Sequence, residues 1–145
     1  MDTADLNVYF DGRLDNLRSV SCLVERVCRR LQLDETTSYH VELAVVEAVT
    51  NCMRHAFEQE DARPMHVGTS VEGDTLLIRV TDQGRPAELV LPEKSESCSD
   101  PDLFLEGGRG LFLICALMDH VEHHSHSKGN TLLMTKVLRR QGAER

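Results

Sequence analysis

The chain lacks any excess of basic residues. Sixteen Lys and Arg stand against twenty-four Asp and Glu, giving a net charge of −8 and a pI near 5.3. That balance excludes a nucleic-acid surface, which needs a basic stripe. Tryptophan is absent, and the composition is otherwise that of an ordinary soluble protein, 41% hydrophobic and 28% charged. No apolar run approaches the roughly 20 residues that a membrane span requires. The opening "MDTADLNVYFDG" carries early acids and no basic segment, so it does not read as a signal peptide. Cys22, Cys28, Cys52, Cys98 and Cys115 form an odd set without a C-x-x-C pair. They are read as buried reduced thiols rather than a metal site or a disulfide framework, which places the chain in the cytoplasm. There is no internal repeat and no low-complexity tract. At 145 residues, the expectation is a single domain over 1–145 with a sizeable core.

What is present is clear periodicity. In "LNVYFDG", Leu6, Val8 and Phe10 alternate with Asn7, Tyr9 and Asp11, predicting a short strand. From Leu14 the period becomes helical, with Leu14, Leu17, Val20, Val24, Val27, Cys28 and Leu31 on one stripe ending near Leu33. A second helix opens among acid and hydroxyl capping residues and carries Val41, Ala44 or Val45, Ala48, Val49, Cys52 and Ala56 on its apolar stripe. Glu47 and Asn51 lie off the centre of that stripe, on one face of the helix. Met65, Val67, Thr69 and Val71 alternate, Glu-Gly-Asp marks a turn, and Leu76, Ile78 and Val80 alternate again: a β-hairpin. Asp82 continues the second parity, so its carboxylate points to the core side, where it requires a partner.

Pro86 to Glu106 is turn-rich and acidic, the kind of long irregular stretch that serves as a lid or binding loop. "GGRG" ends it and opens a third helix bearing Leu111, Ile114, Leu117, Met118 and Val121. "VEHHSH" and "TLLMTKVL" close the chain as strands. The order predicts an α+β, two-layer sandwich with helices on one face of a mainly antiparallel sheet.

Three polar features therefore sit at element ends: Glu47 with Asn51, "DQGRP" from Asp82 to Pro86, and "GGRG" from Gly107 to Gly110. Singly each has a bland reading. Glutamate and asparagine at helical spacing suit a solvated face. Asp-x-Gly after a strand makes a turn. A glycine-rich helix opening makes a tight connection, although it also presents backbone N–H groups to phosphate. No G-K-[S/T] follows, so it is not a Walker A loop.

Together, in this order, they resemble the N, G1 and G2 boxes of the GHKL ATPase/kinase superfamily and its Bergerat nucleotide-binding fold. "EAVTNCMRHAF", "VTDQGRP", "EGGRGLFLICALMD" and "KGNTLLMTK" are most similar to the anti-sigma factor serine/threonine kinase branch. The resemblance runs from about Leu6 to Leu138. Departures are Gln83, Arg85 and Cys52, the last where alanine is frequent.

The resemblance implies ATP and Mg²⁺ as cofactors, with a lid over 87–106. Asn51 would ligate Mg²⁺ through its carboxamide oxygen. Asp82 would accept from the adenine amine, Gly84 would let the backbone pass the base, and Thr131 would complete the adenine pocket. Gly107, Gly108 and Gly110 would wrap the phosphates, with Arg109 either neutralising the γ-phosphate or solvated. Glu47 would be the catalytic base for a hydroxyl acceptor, where sensor histidine kinases commonly carry asparagine. His55 is either catalytic or packed. The row His120, His123, His124 and His126 reads as a solvated edge strand in preference to zinc ligands. The implied function is phosphorylation of a STAS-type anti-anti-sigma protein by a homodimeric kinase that sequesters a sigma factor. The alternatives are a switch kinase controlling another process, and a nucleotide-gated binding module without phosphotransfer. A mid-helix Cys52 beside Asn51 also raises the idea of redox inhibition.

Overall fold

Period-two alternation builds the sheet. In the computed structural model, which describes residues 5–58, 64–84, 91 and 108–139 (side chains at 55–58, 108 and 109 excepted), five strands form. They are β1 (Leu6–Asp11), β2 (Pro64–Glu72), β3 (Thr75–Asp82), β4 (His120–His126) and β5 (Gly129–Val137). Their order is β1-β2-β3-β5-β4, antiparallel at each pairing. The β2–β3 hairpin closes through Gly73 and Asp74, with Gly73 at φ +60, a conformation that a tight hairpin turn requires and glycine adopts without strain. Met65, Val67, Leu76, Ile78, Val80, Leu132 and Met134 are buried on one face of this sheet. Each such aliphatic side chain contributes about 1.5–3 kcal/mol by leaving water.

Helices α1 (Leu17–Arg30), α2 (Glu35–Glu58) and α3 (Gly108–Leu117) cover that face. The α2 stripe buries Val41, Ala44, Val45, Ala48, Val49 and also Met53, which the sequence reading left off the stripe. Cys52 packs only partly against the core, and Ala56 lies outside the residues whose side chains are described. Asp34 caps α2: its Oδ1 accepts the Thr37 N–H at 2.7 Å, and these hydrogen bonds hold its carboxyl below the usual range. The result is the expected α+β sandwich with an antiparallel sheet.

Some expectations are corrected. Leu14 is not on the α1 stripe: it belongs to a 3-10 turn over Leu14–Asn16 and is 66% exposed. The cause is local, since Arg13 N–H and Asn16 Nδ2 both donate to the Asp11 carbonyl (2.7 and 2.8 Å) and pin the turn before the helix begins. Cys22 is exposed on α1, whereas Cys28 and Cys115 are buried as read; Cys98 lies outside the described residues. Burial, with Glu42 nearby, pushes the Cys28 thiol up to about 12. Among the described residues no helix is long and apolar enough to cross a membrane.

At its far end α3 is tied to the sheet. Lys136 on β5 donates to the Leu117 carbonyl at 2.5 Å and lies 3.2 Å from His40 Nδ1 on α2. A cation at a helix C-terminus satisfies an orphan carbonyl and complements the helix dipole. This anchoring fixes where the opposite end of α3 meets α2.

Candidate active site

Glu47 and Asn51 are one turn apart on α2, and both are partly buried. The first turn of α3 lies directly against them. A Cβ built on the buried Gly110 would sit 3.0 Å from both amide atoms of Asn51 and 3.1 Å from Glu47 Oε2. A side chain at 110 would have to displace the ends of Asn51 and Glu47 for the helix start to lie this close. The carboxylate and the carboxamide therefore converge on the N-terminus of a ten-residue helix, where unpaired N–H groups and the dipole favour an anion.

Asp82 ends β3 on the core-facing parity, paired across the sheet with Met65 and Asn130. Its carboxylate is anchored at several points. The Gly84 N–H donates to Oδ1 at 2.8 Å and Asn130 Nδ2 donates to the same oxygen at 3.2 Å. The Cys52 thiol donates to Oδ2 at 3.5 Å. Because Cys52 follows Asn51 on α2, it joins the two halves of the site: Glu47, Asn51 and Gly110 on one side, Asp82, Gly84 and Asn130 on the other. Burial and the adjacent Asp82 charge push the Cys52 thiol well up, so the proton stays on sulfur. The raised thiol does not favour the thiolate which the redox-inhibition idea would require.

Thr131 is not part of this cluster. It pairs with Thr81 across the sheet, and the two hydroxyls are 3.2 Å apart on the face opposite the helices. A strand alternates sides at each residue, so the position facing Asp82 belongs to Asn130, which is buried. The signal was in the sequence: Leu132 and Met134 set the inward parity, and Asn130 continues it. Gly129 was also missed as a structural requirement. It sits at φ +147, and a Cβ there would fall 2.0 Å from the Asp82 carbonyl oxygen. Only glycine lets β5 start beside the end of β3.

Gly108 opens α3 as expected. Gly107 and the 92–106 part of the lid, with 87–90, lie outside the described residues, as do the side chains of Arg109 and His55. The histidine row lies on β4 at the sheet edge. Glu122 sits between His120 and His124 at 3.3 and 3.5 Å, all well exposed, as a solvated edge strand requires. His123 points to the other side and is depressed by partial burial. Among the described residues no three His, Cys, Asp or Glu side chains are placed to hold a metal ion.

Comparison with known proteins matches this architecture to a family. The Histidine kinase-like ATPase domain family matches residues 10–136. Serine-protein kinase RsbW of Listeria monocytogenes serotype 4a (strain HCC23) is 34% identical over 108 residues, 72% of this chain and 68% of that protein. RsbW of Bacillus velezensis is 36% identical over 102 residues, covering 68% of this chain and 63% of the relative. Among solved structures, the RsbU and RsbW domains of a Mycobacterium tuberculosis protein superpose with a TM-score of 0.68 at 18% identity, over 94% of this chain and 34% of that one. The SiaB–SiaC complex of Pseudomonas aeruginosa gives 0.67 at 12%, over 93% of this chain and 90% of its counterpart. At those identities the two structures speak to the fold alone. The family match over most of the chain, together with the serine-protein kinase relatives, gives the assignment: this chain belongs to the histidine kinase-like ATPase domain family.

Proposed function

We propose that the protein transfers the γ-phosphoryl group of ATP to a serine or threonine hydroxyl of a small STAS-type antagonist, and binds a sigma factor when that antagonist is unavailable. The observation that carries the reading is the convergence of Glu47 and Asn51 on Gly110 at the N-terminus of α3. An ATP-dependent protein serine/threonine kinase needs a base, a metal ligand and an anion cradle in one place. The names of the RsbW relatives support the reaction, and the SiaB–SiaC neighbour is itself a two-protein complex.

Each residue then has a task. Asp82 accepts from the adenine amine, with Gly84 and Asn130 holding its other oxygen in place. The first N–H groups of α3, from Gly108 on, receive the phosphates together with Gly107, and Arg109 adds a guanidinium beside the γ-phosphate. Asn51 offers a hard neutral oxygen close to the phosphate end, which fits Mg²⁺, an ion that draws most of its shell from phosphates and waters. When bound, that ion would supply positive charge against the phosphates. Glu47 orients the incoming hydroxyl and takes its proton as the oxygen–phosphorus bond forms and the bond to the ADP leaving group breaks.

Phosphate on the product adds about −1.5 to −2 charge, which an acidic kinase repels. That repulsion releases the antagonist and frees the kinase for its sigma factor, as a cytoplasmic homodimer. The test is transfer from γ-labelled Mg·ATP to STAS-domain proteins by the wild type, Glu47→Ala and Asn51→Ala. Label on a serine or threonine, lost in both variants, is expected. Tight ATP binding with no transfer to any candidate would replace the kinase with a nucleotide-gated binding module.

A further inference from the structure

We propose that Cys52 is a positioning residue that occupies part of the Asp82 carboxylate, so that Asp82 offers a single acceptor position to an incoming base amine. The inference rests on the nucleotide-binding reading above and deepens it. An ionised carboxylate has about four lone-pair positions, two on each oxygen. Among the described residues, Oδ1 already receives two donors, the Gly84 N–H at 2.8 Å and Asn130 Nδ2 at 3.2 Å. Oδ2 receives one, the Cys52 thiol at 3.5 Å. Among the described residues one position is left, on Oδ2, and it takes one N–H. An exocyclic amine supplies that donor; a base presenting a carbonyl oxygen at the same point meets a lone pair instead.

Geometry explains why a thiol serves here. Cys52 is on α2, next to Asn51 and across from the end of β3, and Cys52 Sγ reaches Asp82 over thirty positions of chain. Alanine would fit and leave Oδ2 with two open positions. The sulfur fills the gap and contributes a weak donor. Cys52 also ties Asp82 to the helix that carries Asn51 and Glu47, coupling base recognition to the phosphate end.

The test compares the full-length wild type with Cys52→Val, Cys52→Ala and Cys52→Ser by calorimetric titration with Mg·ATP and with its N6,N6-dimethyl analogue, which has no N–H to give. In the wild type the analogue binds more weakly than ATP. Cys52→Val and Cys52→Ala are expected to weaken ATP by about 5–20-fold, the scale of one hydrogen bond to a charged group. Neither should weaken the dimethyl analogue, because the lost positioning no longer has an amine to act on. Cys52→Ser, which restores a donor, should return ATP affinity to within about 3-fold of wild type. Equal weakening of both nucleotides would reduce Cys52 to a packing role and overturn the proposal, as would unchanged ATP affinity in both Val and Ala variants. Failure of the wild type to bind ATP would overturn the nucleotide reading instead. Wild-type binding with an indifferent Cys52 would remove this inference alone.

Discussion

One-residue parity decides which side chain faces the base pocket. Asn130 and Thr131 are neighbours, yet one is buried against Asp82 and the other shares the opposite face with Thr81. We therefore expect Asn130→Ala to weaken Mg·ATP binding by about 10-fold or more, because a half-buried carboxylate loses a donor. Thr131→Val should change it less than about 2-fold, since the exchange of hydroxyls on the far face is a weak neutral pair. Isothermal titration of both variants distinguishes the two. Gly129 makes a sharper demand. An alanine there would drive its Cβ into the Asp82 backbone from a positive φ, so Gly129→Ala should cost about 3 kcal/mol or more in denaturant unfolding. Gly73→Ala, with open space around it, should cost only the smaller backbone penalty, about 1 kcal/mol.

At the scale of elements, the places where sequence reading succeeded and failed have separate physical causes. Alternation in β2 and β3 specified the hairpin, and it placed Asp82 on the inward parity because the strand continues regularly to its last residue. The Glu47–Asn51 spacing was legible because α2 is unbroken through both. Leu14 was misplaced because a side-chain hydrogen bond from Asn16 holds a 3-10 turn there, which periodicity does not register. Met53 lies four residues after Val49 on the same face, and the stripe as read passed over it in favour of Cys52. Thr131 was assigned from a motif rather than from the pleat. The close approach of Gly110 to Glu47 and Asn51 has no local signature, since it depends on how α3 docks on α2. One end of α1 shows a different tension. Gln32 adopts φ +57, and N–H groups of Gln32 and Leu33 return to Arg29 and Cys28 carbonyls (3.0 and 3.2 Å), a Schellman closure that favours glycine. Gln32→Gly should therefore raise stability by about 0.5–1 kcal/mol, the left-handed penalty less the added chain entropy. A higher denaturant midpoint with an unchanged slope would be the signature.

For the whole molecule, pH links several half-buried groups. His40, His66 and His123 are each depressed from 6.5, first by burial; Lys136, Arg79 and His124 respectively add to the depression. The unfolded chain then takes up protons before the native one as pH falls below 6.5, so stability declines through that window and levels off below the native values. Glu42 acts with opposite sign lower down: its carboxyl is raised from 4.5 by burial and Glu25, so its contribution is present at acid pH and fades as pH rises past that point. Unfolding free energy should consequently increase between about pH 5 and about pH 7.5. His40→Gln should flatten part of the slope; an unchanged slope would show that Lys136 does not oppose protonation there.

The same whole-molecule logic joins helix docking to chemistry: the core fixes α3 against α2, and that docking sets a carboxylate, a carboxamide and a helix N-terminus at one point. The most direct measurement is single-turnover phosphate transfer alongside Mg·ATP affinity for Glu47→Gln, which keeps the size of the side chain and removes the base. ATP affinity within about 3-fold of wild type and transfer slower by about 10²–10⁴-fold are expected. Transfer at the wild-type rate would contradict this, because Glu47 would then not be the group that activates the acceptor hydroxyl.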